Sequence, residues 1–208
     1  MAYTYLKTAL IGALAMSASS LAFAADEVPT QTGASPEMLA NTCAGCHGTH
    51  GASAGPATPT IAGISPVYFE EVMQGFKSGE IKSTIMGRIA QGYSDEEIKA
   101  MGEAFSKQPF IAATQTFDAK KADLGAKLHD KYCEKCHADG GTSADDDSGI
   151  LSGQLVPYLK YTFVDFKAGD REMTKKMKKQ VEKLLKKEGD DGVDALMNYY
   201  ASNKARGE

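Results

Sequence analysis

The run Cys43-Ala44-Gly45-Cys46-His47 returns ninety positions later as Cys133-Glu134-Lys135-Cys136-His137, and these two runs use every cysteine in the chain. Cys-x-x-Cys-His is the spacing of covalent c-type haem attachment. One turn of helix presents two thiols to the two vinyl groups of a porphyrin. The imidazole that follows then faces the iron. Other uses of paired cysteines fit less well. Zinc ribbons keep their two pairs much closer in sequence than Cys46 and Cys133. No strand–helix pattern of a thioredoxin-like redox site surrounds either pair. Ordinary disulfides need no histidine after each pair. The chain therefore reads as a carrier of two covalently bound haem c groups.

Residues 1–25 read as a secretory leader. Lys7 is its only charge, and Thr8 to Ala24 is apolar and small. Ala22-Phe23-Ala24 is an A-x-A cleavage site, so cleavage is expected after Ala24 or Ala25. This agrees with the motifs, because c-type haem is attached outside the cytoplasm, and it predicts a periplasmic protein. No other segment is apolar for long enough to span a bilayer, so no membrane span is expected after cleavage. The 208-residue chain has 23 basic and 27 acidic residues and a formal charge of −4, which losing Lys7 makes one unit more negative. An acidic chain with no basic stripe does not suit nucleic-acid binding.

The second half repeats the first. After the first motif come Ile61-Ala62-Gly63-Ile64-Ser65-Pro66-Val67-Tyr68-Phe69 and Phe76-Lys77-Ser78-Gly79. After the second come Leu151-Ser152-Gly153-Gln154-Leu155-Val156-Pro157-Tyr158-Leu159 and Phe166-Lys167-Ala168-Gly169. Duplication of one domain is the economical account. The pattern is helical throughout. Ser35-Pro36 and Ser65-Pro66 each supply a cap and a first-turn proline. Ser94-Asp95-Glu96-Glu97 is a capping box ahead of core positions Ile98, Met101 and Phe105. The second attachment helix is expected over about Ala119 to Lys135, and Pro157 opens the next. Asp190 or Asp191 is expected to cap the last helix, which buries Val193, Leu196, Met197 and Tyr200. Gln108 to Phe117 reads as the linker, giving domains over 26–112 and 113–208. Each holds about 80–95 residues, small for an apolar core alone, so a haem-free chain is expected to fold poorly.

Histidine gives each iron one axial bond, and the opposite ligand sets the chemistry. Methionine raises the potential and leaves no open position, which suits electron transfer. Met86, in Ser83-Thr84-Ile85-Met86-Gly87-Arg88-Ile89-Ala90, stands just before the capped last helix, where a class I cytochrome c places its ligand. Met73 and Met101 have core spacing. The second half offers Met173 and Met177. Register against Met86 favours Met177, whereas a buried face of Met177, Val181 and Leu184 would leave Met173 as ligand. His50 and His129 read as exposed or structural. Asp145-Asp146-Asp147 lacks the glycine and glutamate of a calcium loop. The lysines from Lys175 to Lys187 read as the wet side of an amphipathic helix.

Four runs resemble a known family. Cys43 to Gly51, Gly75 to Ile81, Ser83 to Ala90, and Gly125 to His137 are similar to the dihaem cytochrome subunit of flavocytochrome c sulfide dehydrogenase, a resemblance that extends from about Pro36 to Ala201. It implies an all-α fold of two tandem class I cytochrome c domains related by internal duplication. It also implies a partner, a separate FAD-containing subunit that oxidises sulfide and passes electrons singly to this chain. Carried over, Cys43, Cys46 and His47 hold one haem with Met86, and Cys133, Cys136 and His137 hold the other with Met173 or Met177. No dinucleotide-binding glycine motif and no spare cysteine is present, so the chain itself would transfer electrons and not oxidise sulfide, handing them to a soluble acceptor such as another cytochrome c. A free-standing dihaem carrier to a terminal oxidase is the alternative. A dihaem peroxidase needs an open iron position, which the methionines argue against.

Overall fold

The computed structural model describes residues 33–145 and 147–207. The leader and its cleavage point lie outside the described residues, as does the middle of Asp145–Asp147. Among the described residues there are helices and no strands. The first half runs α1 (Pro36–Asn41), α2 (Ala44–His47), α3 (Pro66–Ser78), α4 (Met86–Ala90) and α5 (Asp95–Ser106). The second runs α6 (Ala119–Tyr132), α7 (Ala138–Gly141), α8 (Val156–Ala168) and α9 (Lys175–Ala201).

The expected caps form. Ser35 Oγ accepts from Met38 N–H, and Ser65 Oγ accepts from Tyr68 N–H. At Ser94 both bonds of the capping box are present, with Glu97 N–H donating to Ser94 Oγ and Ser94 N–H to the Glu97 carboxylate. Each satisfies amide donors that a helix start would otherwise leave open. Ile98, Met101 and Phe105 are 0–1% exposed and form the first core with Leu39, Phe69 and Met73. Phe69 and Phe105 meet at 5.5 Å, tilted by 40°.

The duplication survives in backbone detail. Helices α3 and α8 are both 13 residues long and end at left-handed glycines, Gly79 and Gly169 (φ 83° and 78°). The Gly51 carbonyl accepts from the N–H groups of Ile61 and Ala62, and the Gly141 carbonyl from those of Leu151 and Ser152. Gly63 N–H donates to Phe105, and Gly153 N–H to Tyr200. Each pair of equivalents is ninety residues apart, apart from the final helices, whose lengths differ.

Three boundaries depart from the sequence reading. Helix α6 ends at Tyr132, with Cys133 as its C-cap, so the attachment cysteines lie on a separate turn. Helix α8 starts one residue early, at Val156. The largest change is at α9. Asp190 and Asp191 do not cap a new helix but lie inside a single span from Lys175 to Ala201, broken only at Gly189 (φ 65°, ψ −158°). In the first half a loop separates α4 from α5; in the second the corresponding pieces run together, because helix formers fill the gap and glycine supplies the one residue of non-helical backbone. Leu196, Met197 and Tyr200 are buried as expected, Val193 is half-buried, and the lysines from Lys175 to Lys187 are exposed.

Helix α6 packs on α9 through Gly125. A Cβ placed there would lie 2.1 Å from the Ala195 carbonyl oxygen and 2.7 Å from Tyr199 Cβ. Gly125→Ala is therefore expected to force the two helices apart and destabilise the second half by about 3 kcal/mol, the upper end of ordinary overpacking. A lowered denaturant midpoint at unchanged slope checks this.

The halves meet across an approximate twofold axis. Thr60 N–H donates to Gln154 Oε1 at 2.9 Å, and Gln154 Nε2 donates back to the Thr60 carbonyl at 2.9 Å. Both residues are buried. Their repeat equivalents, Ile150 and Ile64, are buried together in the first core. Ser65 Oγ donates to Asp147 across the same boundary. Residues 108–117 are coil as expected and are held by the second half: Ala113 N–H donates to the Gly153 carbonyl, and the Arg206 guanidinium stacks on Phe110 at 4.4 Å.

Candidate haem sites

Each Cys-x-x-Cys-His run folds as one tight turn. Cys46 and His47 donate their N–H groups to the Cys43 carbonyl (3.2 and 2.9 Å), and Cys136 and His137 donate theirs to the Cys133 carbonyl (3.1 and 3.0 Å). The turn sets two thiols and an imidazole on neighbouring positions. None of the four cysteines is in a disulfide; Cys43 and Cys133 are half-buried, and Cys46 and Cys136 are exposed. Burial pushes the Cys43 thiol above its ordinary value and the Cys133 thiol up to about 11, so both are neutral at pH 7.

Both histidines are oriented by a carbonyl twelve residues further on. His47 Nδ1 donates to Pro59 O at 2.8 Å, and His137 Nδ1 donates to Gly149 O at 3.0 Å. A proton fixed on Nδ1 makes Nε2 the metal-facing nitrogen, and a carbonyl partner on the far side of the ring orients a ligand histidine and raises its basicity. His47 is 8% exposed, and this burial lowers its pKa against the raising effect of the Pro59 bond. The neutral imidazole is the ligating form. Sequence reasoning did not identify Pro59 and Gly149, although they occupy the same place in both repeats.

Met86 is half-buried at the start of α4, and its N–H donates to Ser83 Oγ at 2.9 Å. Met86 and Cys43 pack against the same core. Met173 and Met177 are both half-buried, and neither belongs to the apolar shell that brings Cys133 to the second core. They differ in position. Met177 N–H donates to Thr174 Oγ1 at 3.2 Å, three residues after a hydroxyl as in Ser83–Met86, whereas Met173 precedes that cap. Met73 and Met101 are core residues, 4% and 0% exposed.

His50 is exposed, and His129 is structural. At 1% exposure, His129 places Nδ1 at 3.0 Å from Tyr200 Oη and Nε2 at 2.9 Å from Glu134 and 3.0 Å from the His137 carbonyl. Glu134 also accepts from the N–H groups of Asp139 and Gly140. This network pins the second attachment turn where the first relies on apolar Leu39 and Phe105. Among the described residues no three His, Cys, Asp or Glu side chains are grouped to hold a metal ion.

No family model matches the chain. Its fold is similar to reduced recombinant cytochrome c4 from Pseudomonas stutzeri (TM-score 0.67, 24% identity, 81% of this chain and 98% of that one). It also resembles cytochrome c4 from Acidithiobacillus ferrooxidans (TM-score 0.62, 21% identity, 78% and 99%). A stretch of 69 residues is 48% identical to the cytochrome subunit of sulfide dehydrogenase from Chlorobaculum tepidum, covering 33% of this chain and 62% of that protein. Over 205 residues the chain is 30% identical to the thiosulfate dehydrogenase electron acceptor of Stutzerimonas stutzeri, covering 93% of each. The chain belongs to this family of dihaem electron-transfer cytochromes. Two tandem class I cytochrome c folds make up its architecture, and two covalent haem c groups are its cofactors. The residues fit that load: each half of this dihaem cytochrome offers two unbridged thiols on one turn beside an imidazole held through Nδ1. Among the described residues no helix is long and apolar enough to cross a membrane.

Proposed function

We propose that Cys43, Cys46 and His47 hold one haem with Met86 opposite, and that Cys133, Cys136 and His137 hold the other with Met177 opposite. The matched hydroxyl bonds at Met86 and Met177 favour Met177 over Met173. When bound, each haem supplies a one-electron Fe(III)/Fe(II) couple. The protein's part would be to keep both couples closed to exogenous ligands: Pro59 and Gly149 orient the imidazoles, and Met86 and Met177 would supply the sulfurs that exclude other ligands. Residues 26–112 and 113–208 form the two domains, the first 25 residues are removed, and the mature protein works in the periplasm.

The chain accepts electrons one at a time from a separate sulfur-oxidising dehydrogenase subunit and passes them to a soluble acceptor such as another cytochrome c. The 48% local identity to a sulfide dehydrogenase cytochrome favours an FAD-containing sulfide dehydrogenase as donor. A second reading rests on the longer alignment, in which the relative is named as the electron acceptor of thiosulfate dehydrogenase. Docking of either donor at the first half is supported by Ile85 and Ile89, 59% and 38% exposed on the two sides of Met86. Native purification tests the reading that carries the most weight, that of a bound flavoprotein. Co-elution with a flavin chromophore and haem reduction by sulfide support it. A flavin-free preparation reduced only when thiosulfate dehydrogenase and thiosulfate are added overturns it in favour of the second.

A further inference from the structure

A guanidinium crosses the boundary between the halves. After α8 the N–H groups of Asp170 and Arg171 both fold back onto the Asp165 carbonyl, at 2.9 and 3.4 Å. Arg171 then reaches the first half, donating to Tyr68 Oη at 3.1 Å. It also interacts with the Tyr158 hydroxyl and stacks on Phe166 at 5.1 Å. Tyr68 and Tyr158 are repeat equivalents, and their hydroxyls interact with each other, which places the approximate twofold axis between them. The arginine breaks that symmetry, because its equivalent in the first half is Ile81.

Arg171 is half-buried, and among the described residues no carboxylate lies within 4.0 Å of its guanidinium. A partly desolvated guanidinium fixed by phenols and a ring is prepared for a planar, two-oxygen anion. Removing it from water without one is unfavourable. The unit also lies close to the second proximal histidine. A Cβ on Gly149 would stand 2.9 Å from Tyr68 Oη, and the Gly149 carbonyl is the acceptor for His137 Nδ1.

We propose that Arg171, positioned by Tyr68 and Tyr158, is the counter-ion of a haem propionate carboxylate at the boundary between the halves. The proposal rests on the dihaem reading. The group acts as a positioning residue: it neutralises a propionate charge on one haem only, raises that haem's potential, and so makes the two repeats unequal in potential. Burial pushes the Tyr68 hydroxyl up to about 12.

The test uses mature two-haem protein carrying Arg171→Gln, Arg171→Lys or Tyr68→Phe, with haem mass, methionine–iron bands, both reduction potentials and propionate bending modes by resonance Raman as readouts. Arg171→Gln is expected to keep both haems and both bands while shifting one reduction equilibrium about tenfold toward the oxidised form, which is about 59 mV for one electron. The propionate mode of that haem moves with it. Arg171→Lys is expected to recover part of the shift, and Tyr68→Phe to produce a smaller one in the same direction; both keep the test open if the glutamine variant fails to mature. Unchanged potentials and modes in variants with both haems, or a loss of thermal stability alone, overturn the proposal. So does a wild-type potential that tracks added inorganic phosphate, since the anion would then come from solution. Haem content of one or none in the wild type would refute the dihaem reading itself and is distinguishable from all of these.

Discussion

The double substitution Cys133→Ser, Cys136→Ser is expected to give a mature protein with one haem in place of two. Serine cannot form the thioether bonds, and the porphyrin would then have to be retained by coordinate bonds from His137 and Met177 without a covalent link. The consequence for folding is as large as that for colour. The second core consists of Leu128, Tyr132 and Leu159 with the Leu184–Tyr200 face of α9, and Cys133 packs at its edge. That is a small apolar set for a domain of this size, so a bound porphyrin would supply much of the missing apolar surface. The variant is expected to show two separate thermal transitions, with the second half melting first, while the methionine–iron band of the first haem remains. Intact mass and visible spectra check the haem count; a retained second haem would refute the attachment assignment.

Met177→Ala is expected to abolish the methionine–iron band of the second haem and lower its potential by on the order of 100 mV, part of the ~0.8 V range that axial ligands command. Met173→Ala is expected to leave both nearly unchanged. The physical reason is local backbone geometry. In both halves the methionine's amide donates to a hydroxyl three residues earlier, Met86 as the first residue of α4 and Met177 within the first turn of α9. Spectra of the two variants decide between the sulfurs, and loss of the band in Met173→Ala would reverse the assignment.

Much of the site was legible because it is written locally. The Cys-x-x-Cys-His turns need only five consecutive residues. The caps at Ser35, Ser65 and Ser94 need four, and their hydrogen bonds form as the sequence implies. The core positions Ile98, Met101 and Phe105 follow from helical period. His129 was legible only as a residue without a ligand role. Its three partners come from positions 134, 137 and 200, and the last belongs to a different helix. The continuation of α9 through Asp190 and Asp191 was missed because an acid pair after a glycine looks like a helix start, while packing against α6 carries the helix through a one-residue break.

By itself the sequence determined the duplication, the helical class and the two Cys-x-x-Cys-His turns, since each depends on residue type at short fixed spacing. Tertiary structure alone decided which carbonyls orient His47 and His137, how the Gln154–Thr60 clasp joins the halves, and where Arg171 reaches. These contacts join residues twelve to about a hundred positions apart, and only the folded chain brings such groups within hydrogen-bonding distance.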